Sequence, residues 1–263
     1  MKVQGKRIIV TGAGNGIGKE LTIQLIKKGA FVVGLDINEL NLEVLKKEIN
    51  SSSLSTYVVD ISNDESLNKF KEDYFKTFNE IDGIINNAGI IQPFINIDAI
   101  DMDTVYKVMN VNFFGPLKLT KLFLPNLLTR PIAHIVNVSS MGGFFPFPGQ
   151  TIYGASKAAL KMLTEGLYGE LLDTNVRVTV VLPGAINTNI AANSNVTMKA
   201  TEGTSNYKMT SAPDAASIII KAMEKDKFKV YVGSDSKAMN LMYKFNDAKA
   251  IKFVNKKMKE LVK

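Results

Sequence analysis

The sequence predicts an α/β fold: a single doubly wound domain with a parallel seven-stranded sheet and helices on both faces. Three observations predict it. Seven short apolar, β-branched runs recur along 263 residues, segments with helical apolar spacing lie between them, and no linker, repeat or low-complexity tract divides the series. Strand, helix, strand in this rhythm demands right-handed crossovers, which lay the strands in parallel and cover both faces of the sheet. An apolar content of 46% is enough for one large core.

The first strand, RIIVT, runs into TGAGNGIGKE. Ile17 stands where the last glycine of G-x-G-x-x-G would fall, but Gly12, Gly16 and Gly18 fit G-x-x-x-G-x-G ahead of a helix carrying Ile17, Leu21 and Leu25. Without β-carbons the backbone can turn tightly and approach a pyrophosphate at the helix N-terminus. The second strand, FVVGLD, ends on Asp36, where an acid would hold the ribose hydroxyls of an adenosine. A carboxylate there repels a 2′-phosphate and neighbouring Asn15 and Ile37 offer no cation, so NAD(H) is preferred over NADP(H). The third strand, STYVVD, ends in Asp60. The fourth, DGIINN, leads into NNAG (86–89), the fifth, HIVNVS, into Ser140, the sixth, VRVTVVLP, into PGAINT (183–188), and KVYVG is the seventh. Six consecutive strands thus end in small, polar or turn-forming residues, a polar rim where doubly wound sheets bind ligands.

Segments 103–128 and 150–173 read as long helices with small and apolar faces. The second contains YGASK, which sets Tyr153 and Lys157 one helical turn apart on one face. A nearby cation favours phenolate, lowering a tyrosine pKa from about 10 and fitting Tyr153 for general acid/base work. With eight tyrosines in a lysine-rich chain, one such spacing is expected by chance, so the pair alone decides nothing.

Composition excludes other chemistries. There is no cysteine, hence no disulfide, thiolate metal site or cysteine nucleophile, and the one histidine, His134, lies in the strand pattern IAHIVNV with no catalytic task. No metal site is expected. The net charge of +7 is uneven: eight lysines against Asp235, Asp247 and Glu260 place +5 in residues 235–263, leaving +2 elsewhere. A nucleic-acid-binding body is not indicated. No signal-peptide pattern and no apolar run of about 18 residues is found, so a cytoplasmic location is expected.

TGAGNGIG, NNAG, VNFFG, SSMGG, YGASK and PGAINT, in this order across about residues 5–233, make the chain resemble the short-chain dehydrogenase/reductase family of Rossmann-fold oxidoreductases. The resemblance implies Tyr153 as proton donor or acceptor and Lys157 as its activator, which also binds the nicotinamide ribose. It implies Ser140 as the hydrogen-bond partner of the substrate oxygen, and Asn112 as holder of a water that relays protons. Gly12, Gly16 and Gly18 would face the pyrophosphate, with Asn15 and Ile17 in the same turn, and Asp36 the ribose. Asp60, Ile61, Asn87, Ala88 and Gly89 would lie on the adenine side. Pro183, Gly184, Ile186 and Thr188 would steady the nicotinamide. Self-association as a homodimer or homotetramer through the two long helices is also implied.

The implied reaction is hydride transfer between NAD(H) and a small-molecule secondary alcohol or ketone. Phe144, Phe145 and Phe147 suggest an apolar pocket for a lipophilic substrate; equally they could pack at a subunit interface or against a lid, for which residues 189–212 are the candidate. The catalytic domain is expected over 1–234 and a basic amphipathic helical extension over 235–263. In the extension Ile251, Val254, Met258 and Leu261 form an apolar face, with Lys252, Lys256, Lys259 and Lys263 largely elsewhere. Packing of that face on the domain or a partner subunit is preferred to contact with an anionic membrane. Two other functions stay open: an NAD-binding regulatory protein without turnover, and an NADPH-dependent 3-ketoacyl reductase.

Overall fold

Every strand of the main sheet runs in the same direction, because each is joined to the next by a helix that returns the chain to the same edge. The computed structural model describes residues 1–194, 196 and 209–258. Its strands are β1 (Arg7–Thr11), β2 (Phe31–Asp36), β3 (Leu54–Val58), β4 (Gly83–Asn86), β5 (Ala133–Val138), β6 (Val176–Pro183), the two-residue β7 (Ile186–Asn187) and β8 (Thr210–Ser211), and β9 (Lys229–Val232). The sheet order is β3-β2-β1-β4-β5-β6-β9, with β7 and β8 paired apart. The chain therefore winds outward from β1 to β3, crosses back, and winds the other way from β4. The strand order reverses between β1 and β4, where Ile9 pairs with Ile84.

The helices are α1 (Gly16–Lys27), α2 (Glu39–Ile49), α3 (Asp64–Thr77), α4 (Met102–Met109), α5 (Gly115–Leu128), α6 (Thr151–Glu170), α7 (Ile190–Asn193), α8 (Ala212–Glu224), α9 (Ser234–Phe245) and α10 (Asp247–Met258). Alternation along each strand divides the core in two. Ile8, Val10, Ile85 and Val136 pack with Leu21 and Leu25 of α1 and Ile219 and Met223 of α8. Ile9, Ile84 and Ile135 pack on the other face with Phe70 and Tyr74 of α3 and Phe123 and Leu127 of α5. The runs are continuous rather than alternating in polarity because both faces are buried.

Three expected elements differ in detail. β3 stops at Val58, not Asp60, since the Asp60 carboxylate accepts the Ser62 N–H (2.9 Å) and hydroxyl (2.6 Å) and turns the chain. Segment 103–128 is helical from end to end, but a π-turn over Asn110–Phe114 joins α4 to α5 and carries Asn112 into a fully buried position. The C-terminal extension is two helices, broken at Asn246, whose side chain accepts the Lys249 N–H at 2.9 Å and starts α10.

α9 and α10 fold back on the turn that follows β5. Met141 and Phe145 pack there with Ala250 and Val254, flanked by Met239, Met242 and Tyr243. The Phe145 ring meets Tyr243 edge-on at 5.4 Å and is wholly buried, so this ring is covered by the chain's own tail rather than lining an open pocket. The inward face of α10 is Ala250–Val254; Ile251, expected inside, is exposed because the helix docks through its smallest residue. The Met258 side chain and Leu261 lie outside the described residues, as does most of the lid candidate, 195 and 197–208. Leu241, Phe245 and Phe253 are exposed on the outer side of this helical pair. Among the described residues no helix is long and apolar enough to cross a membrane.

Candidate active site

The turn after β1 is shaped by what cannot fit in it. Gly12 and Gly16 adopt φ of +67° and +55°, a region open to glycine. A β-carbon on Gly18 would overlap the Gly12 carbonyl oxygen and stand 2.7 Å from Asn87 Nδ2. Asn15 caps α1, its side chain accepting the Gly16 N–H at 2.7 Å, and Ile17 packs on the core beneath. This glycine-lined helix N-terminus has the shape and the free N–H groups that suit a pyrophosphate. Asp36 closes its side: its carboxylate accepts Gly14 N–H at 2.9 Å and Asn38 N–H at 3.0 Å.

The loop after β4 is tied to the end of β1. Thr11 Oγ1 accepts the N–H groups of Asn87 and Ala88, both at 3.0 Å, and Asn87 Nδ2 donates to Thr11 O at 3.0 Å. Thr11, which sequence reasoning passed over as an ordinary strand residue, is thus what holds NNAG beside the glycine turn. Asp60 lies two residues past β3, and Ile61 lies against Gly115 at the start of α5. On the far side, the Thr188 methyl approaches Gly16, so the turn after β6 (Pro183, Gly184, Ile186, Thr188) bends over the α1 N-terminus. Asp235, at the start of α9, holds this turn by accepting the Ala185 N–H at 2.6 Å.

Between these two loops the strand ends and α6 bring Ser140, Tyr153, Lys157 and Asn112 together. Ser140 follows β5 and caps a 3₁₀ turn, accepting the Gly142 N–H at 3.0 Å. The Tyr153 phenol is pushed above its ordinary pKa by burial, and the neighbouring Ser140 hydroxyl pulls the other way. Lys157, one turn on, donates from Nζ to Val138 O at 3.0 Å and lies close to Gly89. Burial brings its pKa down to about 8. The Lys157 ammonium is directed at the end of β5, and the influence that opposes burial at the phenol is that of Ser140.

Asn112 is engaged on both ends. Its Oδ1 accepts the Ile90 N–H at 2.9 Å, and its Nδ2 donates to Ile90 O at 2.9 Å and to Ser156 Oγ at 3.0 Å. His134 sits at the opposite end of β5 from Ser140, its Nε2 2.8 Å from Thr179 Oγ1, and burial lowers its pKa to about 3. It is a neutral core residue, away from the rim. Asn112 sits in the π-turn between α4 and α5; the other site residues read from the sequence lie at the ends of the strands, on the segments that follow them or on α6. The arrangement offers an anion cradle, a carboxylate beside it, and a phenol with a hydroxyl and an ammonium at its flank, which suits proton transfer to or from an oxygen.

Comparison with known proteins bears on the same residues. The family described as short chain dehydrogenase matches residues 6–199. The 3-oxoacyl-(acyl-carrier-protein) reductase FabG of Thermotoga maritima is 35% identical over 192 residues, covering 72% of this chain and 77% of that protein. A short-chain dehydrogenase of Burkholderia cenocepacia, solved with NADP, superposes with a TM-score of 0.82 at 26% identity, covering 97% of this chain and 99% of that one. One from Burkholderia phymatum, solved with NAD, gives the same TM-score at 24% identity over 90% and 92% of the two chains, which speaks to the fold.

Proposed function

Since the chain belongs to the short-chain dehydrogenase family of NAD(P)-dependent enzymes acting on CH–OH and carbonyl groups, we propose that it moves a hydride between NAD(H) and a secondary alcohol or ketone, with Tyr153 as general acid/base. The observation that carries this reading is Lys157. A lysine only 3% exposed, with a backbone carbonyl for partner and no carboxylate paired to it among the described residues, is costly for a fold to keep. Next to a half-buried phenol in a glycine-rimmed site, that cost has a chemical use.

The residues fit a dinucleotide: Gly12, Asn15, Gly16, Ile17 and Gly18 at its pyrophosphate, Asp36 at its ribose, Asp60, Ile61 and Asn87–Gly89 on its adenine side, and Pro183, Gly184, Ile186 and Thr188 at its nicotinamide. The chemistry the dinucleotide supplies is hydride exchange at the carbinol carbon; the rest falls to the chain. In oxidation, Tyr153 takes the hydroxyl proton as the hydride leaves; in reduction it returns one. Ser140 steadies the charge developing on that oxygen. Lys157 keeps a positive field beside the phenolate, and Asn112 stands where a proton path from Lys157 would pass.

Asp36 favours NAD(H), since its charge opposes a 2′-phosphate. A lipophilic substrate is read from the apolar segment after Ser140, whose Phe144 and Phe147 are only partly covered by the cluster that α9 and α10 complete. Exposed Tyr106, Phe114, Leu128 and Met162 on the α4–α6 face support a homodimer or homotetramer. A second reading, NADPH-dependent 3-oxoacyl reduction, is favoured by the Thermotoga relative and opposed by Asp36. Nicotinamide absorbance with NADH and NADPH, against lipophilic ketones and an acetoacetyl thioester, separates the two. Turnover abolished by Tyr153→Phe supports the proposal; NADH binding without turnover on any panel member points instead to a regulatory role.

A further inference from the structure

α6 begins without a cap of its own. Gln150, in the N-cap position, makes no side-chain bond to the helix, yet the N–H groups of the first turn need acceptors. They find one far away in sequence. Gln92, fully buried, accepts the N–H of Ile152 at 2.7 Å and of Tyr153 at 3.0 Å on one oxygen, and donates from Nε2 to Gly149 O at 3.0 Å. Gln150 answers by donating from its side chain to Gln92 O at 2.8 Å. The two glutamines clasp the loop after NNAG to the start of the helix that bears Tyr153 and Lys157.

The clasp belongs to a closed circuit. Ile90, two residues before Gln92, is held through both backbone groups by Asn112. Asn112 also bonds Ser156 Oγ, and Ser156 donates to Tyr153 O at 2.7 Å. Tyr153 therefore has its N–H fixed by Gln92 and its C=O fixed by Ser156, with Asn112 joining the two. We propose that Gln92 is a positioning residue for catalysis: it fixes the backbone of Tyr153 and, by placing a neutral oxygen at the positive end of α6, lets the helix field favour the phenolate. This rests on the reading of Tyr153 as acid/base.

The test pairs two variants. Gln92→Met keeps the shape and removes the acceptor; Gln92→Glu keeps an acceptor and adds a charge. Amide exchange, read by mass spectrometry or NMR without ligand, is expected to accelerate about tenfold at Ile152 and Tyr153 in Gln92→Met. With NADH and the panel ketone that wild type turns over fastest, kcat is expected to fall about ten- to a hundredfold while the Kd for NADH stays within about twofold. Gln92→Glu is expected to retain most of kcat at alkaline pH, with the limb assigned to Tyr153 moved upward by half a pH unit or more, roughly 0.7 kcal/mol. Faster exchange with unchanged kcat, an unmoved limb in Gln92→Glu, or a Kd that worsens in step with kcat overturns the proposal. Undiminished turnover in Tyr153→Phe would instead sink the acid/base reading itself.

Discussion

Lys157 Nζ donates to the carbonyl oxygen of Val138 at 3.0 Å, and burial brings its pKa from 10.5 down to about 8. Between those values the unfolded chain holds a proton that the folded chain has released, so stability rises with pH across that window. Below pH 8 the folded state bears the whole cost, roughly 3 kcal/mol. Lys157→Met removes the cation together with a hydrogen bond worth about 1 kcal/mol. The variant should be about 2 kcal/mol more stable than wild type at pH 7, lose that advantage as pH nears 10, and be inactive. Thermal melts at pH 7 and 9.5 read it; a variant less stable at pH 7 contradicts it.

Gly18→Ala should destabilise by about 1–3 kcal/mol or more, because backbone, not a flexible side chain, occupies the space its methyl needs. Gly166→Ala, on the exposed side of α6 with nothing within 4 Å, should stabilise by about 0.5–1 kcal/mol. Urea melts of the two, compared side by side, decide whether the first glycine is demanded by contact or merely tolerated.

Asp36→Asn removes the charge and keeps an oxygen for only one of the Gly14 and Asn38 N–H groups, which the carboxylate accepts on separate oxygens. The NADH-to-NADPH ratio of kcat/KM should drop about tenfold, equivalent to roughly 1.4 kcal/mol. An unchanged ratio would mean that charge at this position does not set the cofactor.

A methyl on Gly184 would run into the Asp235 carboxylate that holds Ala185. Gly184→Ala should cost about 1–3 kcal/mol in wild type and less than half of that in an Asp235→Ala background. Equal costs in the two backgrounds would show that the carboxylate is not the obstacle.

His134 is held neutral by burial, with a pKa of about 3 against an ordinary 6.5 and its Nδ1 3.5 Å from Asp226 Oδ1. As pH falls through that window the unfolded state takes up a proton that the folded state refuses. Stability present above pH 6.5 should therefore be lost progressively toward pH 3, by roughly 5 kcal/mol at most. His134→Gln should flatten the slope in equilibrium denaturation across this range, and an identical slope would assign the acid loss to carboxylates.

Much of this was legible in the chain because local chemistry and long-range placement agree at the sheet edge. RIIVT, FVVGLD and VRVTVVLP are strands to the residue, since each is buried on both faces and stopped by a glycine turn, an acid or a proline. Asn112 and Ser140 stand out only in a pattern shared with a family, because a buried asparagine and a serine after a strand have many ordinary uses. Gln92 gave no local signal at all: its partners are 57–61 residues further on, and only the folded chain brings a cap from that distance. Phe145 was ambiguous for a related reason. An aromatic ring looks the same in sequence whether a ligand or a helix covers it, and here α9 and α10 do.

That cover arrives late. A ribosome adds about 5–20 residues per second, and both large cores can close around the sheet while residues 234–258 are still being threaded. Until α9 and α10 emerge, Met141 and Phe145 have no roof. A nascent chain halted before residue 234 would hold the two large cores around the sheet and leave this apolar pair uncovered. The cover over Met141 and Phe145 therefore comes with α9 and α10 rather than with the closing of the sheet.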